Sequence, residues 1–386
     1  MSWSTVRADQ FCTLITDGTH DSPKPQQSGW KLITSKHLKG HYIDFDSANW
    51  ISEADYLKVI SRSAVEQWDI LFSMIGTIGN IYLEKNPHVE YACKNMGIFK
   101  FSGNKENALW MYYFLKSPQA KAYIQTHLRG STQAYVPLGG LREMPVPVPP
   151  QSVRNEIIAV LRPIDEKIEC NNAINDNLQQ QAAALFSSLY DRSNTEVRFT
   201  DLIQILGGGT PKTGENTYWN GNIAFFTPKD VGTPYTLITE KTISKEGLSH
   251  CNSRLYPVNT VFVTARGTVG KVGMSGVPMA MNQSCYALVG KETHQLLVYF
   301  YTLKAVDRLK HKASGAVFDA ITTRDFESEQ IMKLSDDDAT AFLRVAEPMF
   351  QEALNNNIEN LRLSTLRDSL LPKLMSGEID VSAVQL

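Results

Sequence analysis

The sequence is poor in the features that usually announce an enzyme. It has no GxxxxGK[ST] phosphate loop, no GxSxG elbow and no Asn-Pro-Pro-aromatic motif of adenine methyltransferases. P-loop nucleotide hydrolysis, elbow-type hydrolase chemistry and adenine methylation by this chain therefore have no support. The five cysteines, Cys12, Cys93, Cys170, Cys251 and Cys285, are scattered and form no CxxC pair. That argues against both a zinc site and a disulfide framework, and points to a reduced, cytoplasmic protein. His20, His37, His41 and His88 fall at no ligand spacing, so no metal is expected. No apolar run reaches the roughly 18 residues that would span a bilayer. Met-Ser-Trp-Ser-Thr-Val-Arg at the start lacks the apolar core of a signal peptide.

Charge of either sign is also scarce in sum, with a net value of −2. Its distribution is more telling. Residues 1–150 carry 15 Lys+Arg against 13 Asp+Glu, and residues 196–333 carry 15 against 12. Residues 151–195 carry 4 against 6, and residues 334–386 carry 4 against 9. Two mildly basic blocks alternate with two acidic ones.

The alternation follows a duplication. "SMIGTIGN" at 73–80 is answered by "TARGTVGK" at 264–271, with Gly76, Thr77 and Gly79 each 191 residues before Gly267, Thr268 and Gly270. Gly18-Thr19 and Gly209-Thr210 share that offset. Thr34 and Lys36 align with Thr227 and Lys229, Asn95 with Asn282, "YYFLKS" with "FYTLKA", and "RGSTQAY" (129–135) with "KASGAVF" (312–318). A period this long is a repeated domain, since solenoid repeats run to about 20–50 residues. "DILFSMIG" and "NTVFVTARG" read as strands entering glycine turns. "NALWMYYFLKSPQAKAYIQTHL" and "HQLLVYFYTLKAVDRLKHKA" read as amphipathic helices. "MPVPVPPQ" (144–151) is an extended exit from the first module.

Each module leads into a helical pattern. Ile157, Leu161, Ile164, Ile168, Asn171, Asn175, Leu178, Ala182, Leu185 and Leu189 alternate spacings of 4 and 3, which is a heptad seam. Adding 185 gives Phe342, Ala346, Met349, Ala353, Asn356, Asn360, Leu363, Arg367, Leu370 and Leu374, and only Arg367 breaks the pattern. Asn171 and Asn175 match Asn356 and Asn360. A buried seam Asn needs a polar partner and so fixes register. The pattern predicts that the two helices pair, against the alternative that each packs on its own module with the Asn facing water. Pro163 and Pro348 correspond as well, and are expected to start the long helices after a separate or kinked segment. From 163 to 190 such a rod is roughly 42 Å long. In "IDEKIE" (164–169), Asp165, Glu166 and Lys167 read as solvated helix charges rather than nuclease residues.

The expected fold is α+β. Two homologous mixed α/β domains, 1–150 and 195–333, are separated by helical regions 151–194 and 334–386. The helices are expected to pair as a coiled coil, with pseudo-two-fold symmetry between the two halves.

This order of elements resembles the specificity subunit of type I restriction-modification systems. The resemblance covers essentially the whole chain. It rests on "LREMPVPVPPQSVRNEII" (141–158), "IDEKIECNNAINDNLQQQAAALFSSLY" (164–190), "VFVTARGTVGKV" (261–272) and "NNNIENLRLSTLRDSLLPKLMSGEI" (355–379). It implies that each variable module is a target recognition domain reading one half of a split, asymmetric site in double-stranded DNA. It implies that the helices pair as an antiparallel coiled coil, act as a ruler and dock two methyltransferase (modification) subunits carrying S-adenosylmethionine. Motor-nuclease (restriction) subunits using ATP and Mg would complete the complex, with no cofactor, catalytic residue or membrane contact in this chain. The first module departs from the family pattern at two points. Ile75 replaces the usual arginine before the glycine loop, and Lys94-Asn95-Met96 stands where Asn-Gln is usual.

The candidate DNA contacts follow from the loops. Arg266, Thr268 and Lys271 flank glycines that let backbone approach a ligand, and arginine can bind guanine bidentately. A tight strand turn with a surface arginine is the competing reading. Thr77 and Asn80 are their counterparts in the first module. Lys36, His37, Lys229 and Asp230 are backbone or base contacts, or solvated strand ends. Asn95, Asn282 and Gln283 carry amides that either read adenine or satisfy buried structure. Arg129, Ser131, Thr132 and Gln133, with Lys312 and Ser314, contact phosphates or merely end a helix. Trp30, Tyr218, Trp219 and Tyr235 lie near these loops, either to stack on bases or as core. Two other functions fit the same residues: a coiled-coil adaptor for protein or RNA, and the specificity half of another restriction system.

Overall fold

A computed structural model describes residues 3–40, 42–232, 234–312 and 320–381. Its contacts divide the chain into two compact units. One holds residues 1–169 and 362–386, the other residues 170–361. The divisions fall inside both long helices. Each helix contributes one end to one module's core and the other end to the other's.

The first unit begins with β1 (Thr5–Arg7), α1 (Ala8–Phe11), β2 (Leu14–Asp17), β3 (Trp30–Ile33), β4 (Asn49–Ile51) and α2 (Glu53–Ser63). Then come β5 (Ile70–Ser73), β6 (Ile81–Leu83), β7 (Tyr91–Cys93) and β8 (Met96–Lys100). α3 (Lys105–Lys116), α4 (Pro118–Thr126), α5 (Leu138–Glu143) and β9 (Pro145–Pro147) lead into α6 (Gln151–Asp191). An antiparallel sheet runs β2-β8-β5-β6. A smaller sheet runs β4-β3-β7, with β3 and β7 parallel, and β1 pairs with β9. The proline-rich exit thus contains a short strand, Pro145–Pro147. The segment expected as one amphipathic helix is two, because Ser117 ends α3 and its side chain caps α4, with Pro118 in the first turn. Nor is α3 amphipathic, since every residue from Ala108 to Leu115 is buried. Its Trp110 satisfies its indole N–H on the Pro147 carbonyl at 2.8 Å.

The second unit repeats this order. It comprises β10 (Thr195–Arg198), α7 (Phe199–Leu202), β11 (Ile203–Gly207), β12 (Trp219–Phe226), β13 (Tyr235–Thr236), β14 (Lys241–Ile243) and α8 (Lys245–Ser249). Next are β15 (Val261–Thr264), β16 (Val272–Ser275), β17 (Met279–Met281), β18 (Cys285–Gly290) and α9 (Gln295–Lys312). α10 (Thr323–Glu327) and β19 (Gln330–Lys333) lead into α11 (Asp336–Ser376), whose last part belongs to the first unit. The sheets are β11-β18-β15-β16-β13, β14-β12-β17 and β10-β19. Strand for strand this is the first module with one addition, β13.

α6 and α11 are each 41 residues, and both their ends are related by the offset of 185. Neither helix starts at its proline, contrary to expectation. Pro163 and Pro348 lie inside. A proline costs an internal helix about 3 kcal/mol. Burial of Ile157 and Leu161 before Pro163, and of Phe342 and Ala346 before Pro348, in the module cores offsets that loss.

The matched asparagines form two hydrogen-bonded sets, related by the repeat, within the second unit. Asn171 Nδ2 donates to Asn360 Oδ1 at 2.9 Å, and Asn356 Nδ2 donates to Asn175 Oδ1 at 2.9 Å. Asn175 Nδ2 donates to Asn357 Oδ1 at 3.1 Å, and Asn360 Nδ2 to Asn172 Oδ1 at 2.9 Å. Each bond in a pair becomes the other when 185 is added or subtracted. These partners run in opposite directions along the chain, so the helices pair antiparallel.

In the first unit the one residue that breaks the heptad pattern, Arg367, finds its own partner. Its Nη1 lies 2.7 Å from Asp165 Oδ1, and Lys116 Nζ lies 3.2 Å from Asp165 Oδ2. Asp165 is therefore a buried ion-pair residue and not a solvated helix charge. Burial pushes its carboxyl up, but Lys116 and Arg367 outweigh that and hold it below the usual value. Glu166 does sit on the exposed face, paired with Arg162 at 2.5 Å.

Candidate nucleic-acid interface

The repeated glycine strings are hairpin tips, between β5 and β6 in one module and between β15 and β16 in the other. Gly76 and Gly79 have φ of 76° and 88°, and Gly267 and Gly270 have 82° and 73°. A residue with a side chain pays about 1–2 kcal/mol in that region, so the backbone itself demands glycine at both places. Gly79 N–H closes the turn on the Ser73 carbonyl at 3.1 Å, as Gly270 N–H does on Thr264 at 2.8 Å. The threonines fasten each tip to its neighbour. Thr77 donates to the Ser35 carbonyl at 3.1 Å, and Thr268 to the Pro228 carbonyl at 3.2 Å.

Those neighbours are the turns that carry Lys36 and Lys229, both exposed. The two turns share one internal bond. Thr34 N–H donates to His37 Nδ1 at 2.9 Å, and Thr227 N–H donates to Asp230 Oδ2 at 2.8 Å. Two further segments join the cluster. Asn95, with φ of 53°, accepts at Oδ1 from His20 Nδ1 at 2.9 Å, while His20 Nε2 lies 2.8 Å from Asp17. Its counterpart region brings Thr210 against Gln283. Finally, the 129–135 turn is clamped by reciprocal 2.9 Å backbone bonds between Arg129 and Tyr135, and Val136 N–H donates to Met74 O at 2.9 Å. In the other module Ile321 N–H donates to Ala265 O at 2.9 Å in the same way.

Each module thus gathers four sequence-distant segments beside one glycine tip. Lys36, Arg129, Lys229, Arg266 and Lys271 reach solvent there. Cations on rigid loops beside close-approach glycines are suited to phosphate oxygens and base edges.

The sequence matches the family model "Type I restriction modification DNA specificity domain" twice, over residues 3–180 and 192–333. The chain belongs to that family. Among curated proteins, the type I restriction enzyme HindI specificity subunit of Haemophilus influenzae is 22% identical over 415 residues, covering 85% of this chain and 90% of that one. The MjaIX specificity subunit of Methanocaldococcus jannaschii is 29% identical over 127 residues, 31% of this chain and 29% of that one. The crystal structure of the type I restriction-modification system S subunit from M. genitalium matches 97% of this chain and 96% of its own at 14% identity, with a TM-score of 0.56. That likeness is one of fold.

Within this specificity-domain frame the candidate residues sort into two groups. Thr77, Asn80, Arg129, Ser131, Thr132, Gln133, Lys36, Lys229, Arg266, Thr268, Lys271 and Gln283 are exposed on the tip segments. The others are engaged in hydrogen bonds or ion pairs of the loops and helix ends, Lys312 while exposed. His37 is buried, and burial first, then the Lys36 charge, push its imidazole below the ordinary value. It is a neutral turn cap at pH 7. Asp230 accepts from Thr227 and from Glu240 N–H, again as a cap. Asn282 Oδ1 accepts from Ser284 N–H at 3.0 Å. Lys312 pairs with the buried carboxylate of Glu329, which Arg308 also meets at 2.7 Å. Ser314 lies outside the described residues, as does His41.

Lys310, one helical turn along from Val306, is the cation that lies over the second glycine tip. A Cβ on Gly270 would fall 2.6 Å from its Cε. The aromatics near the loops make packing or hydrogen-bond contacts of their own. Trp30 stacks on Tyr56 with centroids 4.2 Å apart, Tyr218 on His250 at 4.8 Å, Trp219 packs edge-on to Phe225, and Tyr235 bonds Asn259 at 3.0 Å. Among the described residues no group of His, Cys, Asp or Glu could hold a metal ion, and no helix is long and apolar enough to cross a membrane.

Proposed function

We propose that this chain is the DNA-recognition subunit of a type I restriction-modification complex and is itself non-catalytic. Each module reads one half of a bipartite, asymmetric site in double-stranded DNA, and the paired helices fix the spacer and dock two methyltransferase subunits. S-adenosylmethionine belongs to those subunits, and ATP and Mg to the motor-nuclease subunits that join them. The observation that carries the reading is the repeated glycine tip with its fastened lysine turn, present once per module in a family of DNA specificity domains. Phosphate contacts from Lys36, Lys229 and Lys271 would position the modules, and Arg266 would read a base edge. The halves need not match, since the tips differ in sequence. The acidic helical regions disfavour direct phosphate contact and suit protein docking.

The test is a chimaera. Residues 195–333 are replaced by the corresponding module of another specificity subunit, and the complex with its methyltransferase is assayed for methylated sites. The account expects one half of the motif to change and the other half to stay. Simultaneous change of both halves, or of neither, would overturn it.

A further inference from the structure

The two tips differ at one pair of facing backbone positions. In the second module Arg266 forms an isolated antiparallel bridge with Ala320, and in the first Ile75 forms the equivalent bridge with Tyr135. The equivalence is set by hydrogen bonds rather than by sequence likeness. Val136 N–H donates to Met74 O, and Ile321 N–H donates to Ala265 O, both at 2.9 Å. Met74 and Ala265 are 191 apart, the offset of the glycine tips, and Tyr135 and Ala320 are 185 apart, the offset of the long helices. Each bridge therefore carries one large polar side chain and one apolar residue, on opposite strands. Arg266 is exposed beside the small Ala320. Tyr135 is 41% exposed beside the half-buried Ile75.

The backbone of Tyr135 is held on both sides. Both its backbone groups bond Arg129 at 2.9 Å. Gly130, with φ of 89°, permits the tight turn, and a Cβ there would sit 2.4 Å from Gln133 O and 3.4 Å from the Tyr135 ring. The ring is 41% exposed at a bridge fastened by backbone hydrogen bonds on both sides. A phenol can donate or accept one hydrogen bond and pack its ring on a thymine methyl, whereas a guanidinium forks onto guanine.

We infer that Tyr135 is the base-reading residue of the first module, occupying the place that Arg266 holds in the second. This rests on the DNA-recognition function proposed above. It accounts for the missing arginine at Ile75, because the reader has moved to the facing strand.

The experiment uses the full chain in complex with its methyltransferase, with methylated adenines mapped across a genome for the natural chain, Tyr135→Ala and Tyr135→Arg. Wild-type mapping that yields a split motif upholds the DNA-recognition reading on its own. Against that motif, Tyr135→Ala should lose about tenfold discrimination at one base pair in one half-site. Tyr135→Arg should move the preference at that same base pair toward guanine. The arginine variant guards against a folding artefact, since an unfolded module cannot acquire a new preference. An unchanged motif in both variants, or a uniform loss over both halves, overturns the assignment of Tyr135.

Discussion

Substitution of Arg367 tests how the helical seam tolerates its one charged position. Asp165, Lys116 and Arg367 have side chains that are 11%, 22% and 17% exposed, so solvent screens the group only partly. Breaking a buried ion pair by removing one partner costs about 3–5 kcal/mol, chiefly through the charge left behind. Arg367→Ala leaves Asp165 with Lys116 and belongs at the lower end, about 3 kcal/mol. Asp165→Phe strands two cations and belongs at the upper end, about 5 kcal/mol. Adding 185 to position 165, or subtracting it from 367, gives Phe350 and Ala182, which are buried in the other unit's core. The double variant Asp165→Phe with Arg367→Ala installs that apolar pair and should be less damaging than Asp165→Phe alone. For a unit of this size each kcal/mol is worth about 2–4 °C in midpoint. Thermal unfolding of the three variants should therefore show drops of roughly 6–12 °C for Arg367→Ala and a partial return in the double variant. Strict additivity of the two single effects would refute the idea that these residues form one compensated layer.

Acid should weaken the same unit. Because Asp165 is held below its unfolded value of about 3.9, its contribution is complete above that pH and is lost as pH falls through the folded value. Urea midpoints between pH 6 and pH 2 should fall, and Asp165→Asn should flatten the acid limb. Asn356→Ala leaves Asn175 Oδ1 without its donor and should cost about 1–3 kcal/mol, read by chemical denaturation. Gly76→Ala imposes a left-handed alanine without a steric clash and should cost about 1–2 kcal/mol; hydrogen exchange should show the loss confined to the β5–β6 tip. Insertion of one heptad into both α6 and α11 adds about 10.5 Å. It should lengthen the unread spacer by about 3 base pairs and leave both half-sites intact, as methylation mapping would show.

Much of the fold was legible because it is written twice. The glycine tips, the strands entering them and the asparagine layer were all visible as matched spacing. Helix starts were not, because the rule that proline opens a helix competes with core burial, and burial won at Pro163 and Pro348. Asp165 looks like a solvated helix charge in the sequence for a related reason. Its partners Lys116 and Arg367 come from other parts of the chain, and only Arg367's misfit in the seam hinted at them. At the tips, residue matching found the exposed cations but could not separate them from the caps. His37 and Asp230 occupy one position with different chemistry, and the same backbone bond explains both. The bridge between Tyr135 and Ile75 is made by backbone and belongs to no motif, so residue matching cannot reveal it.

The most direct measurement is a genome-wide map of adenine methylation by the natural chain assembled with its methyltransferase. Two recognition modules of unlike sequence predict a split motif with unlike halves, an unread spacer and one methylated adenine per half. A continuous or perfectly palindromic motif would contradict the account.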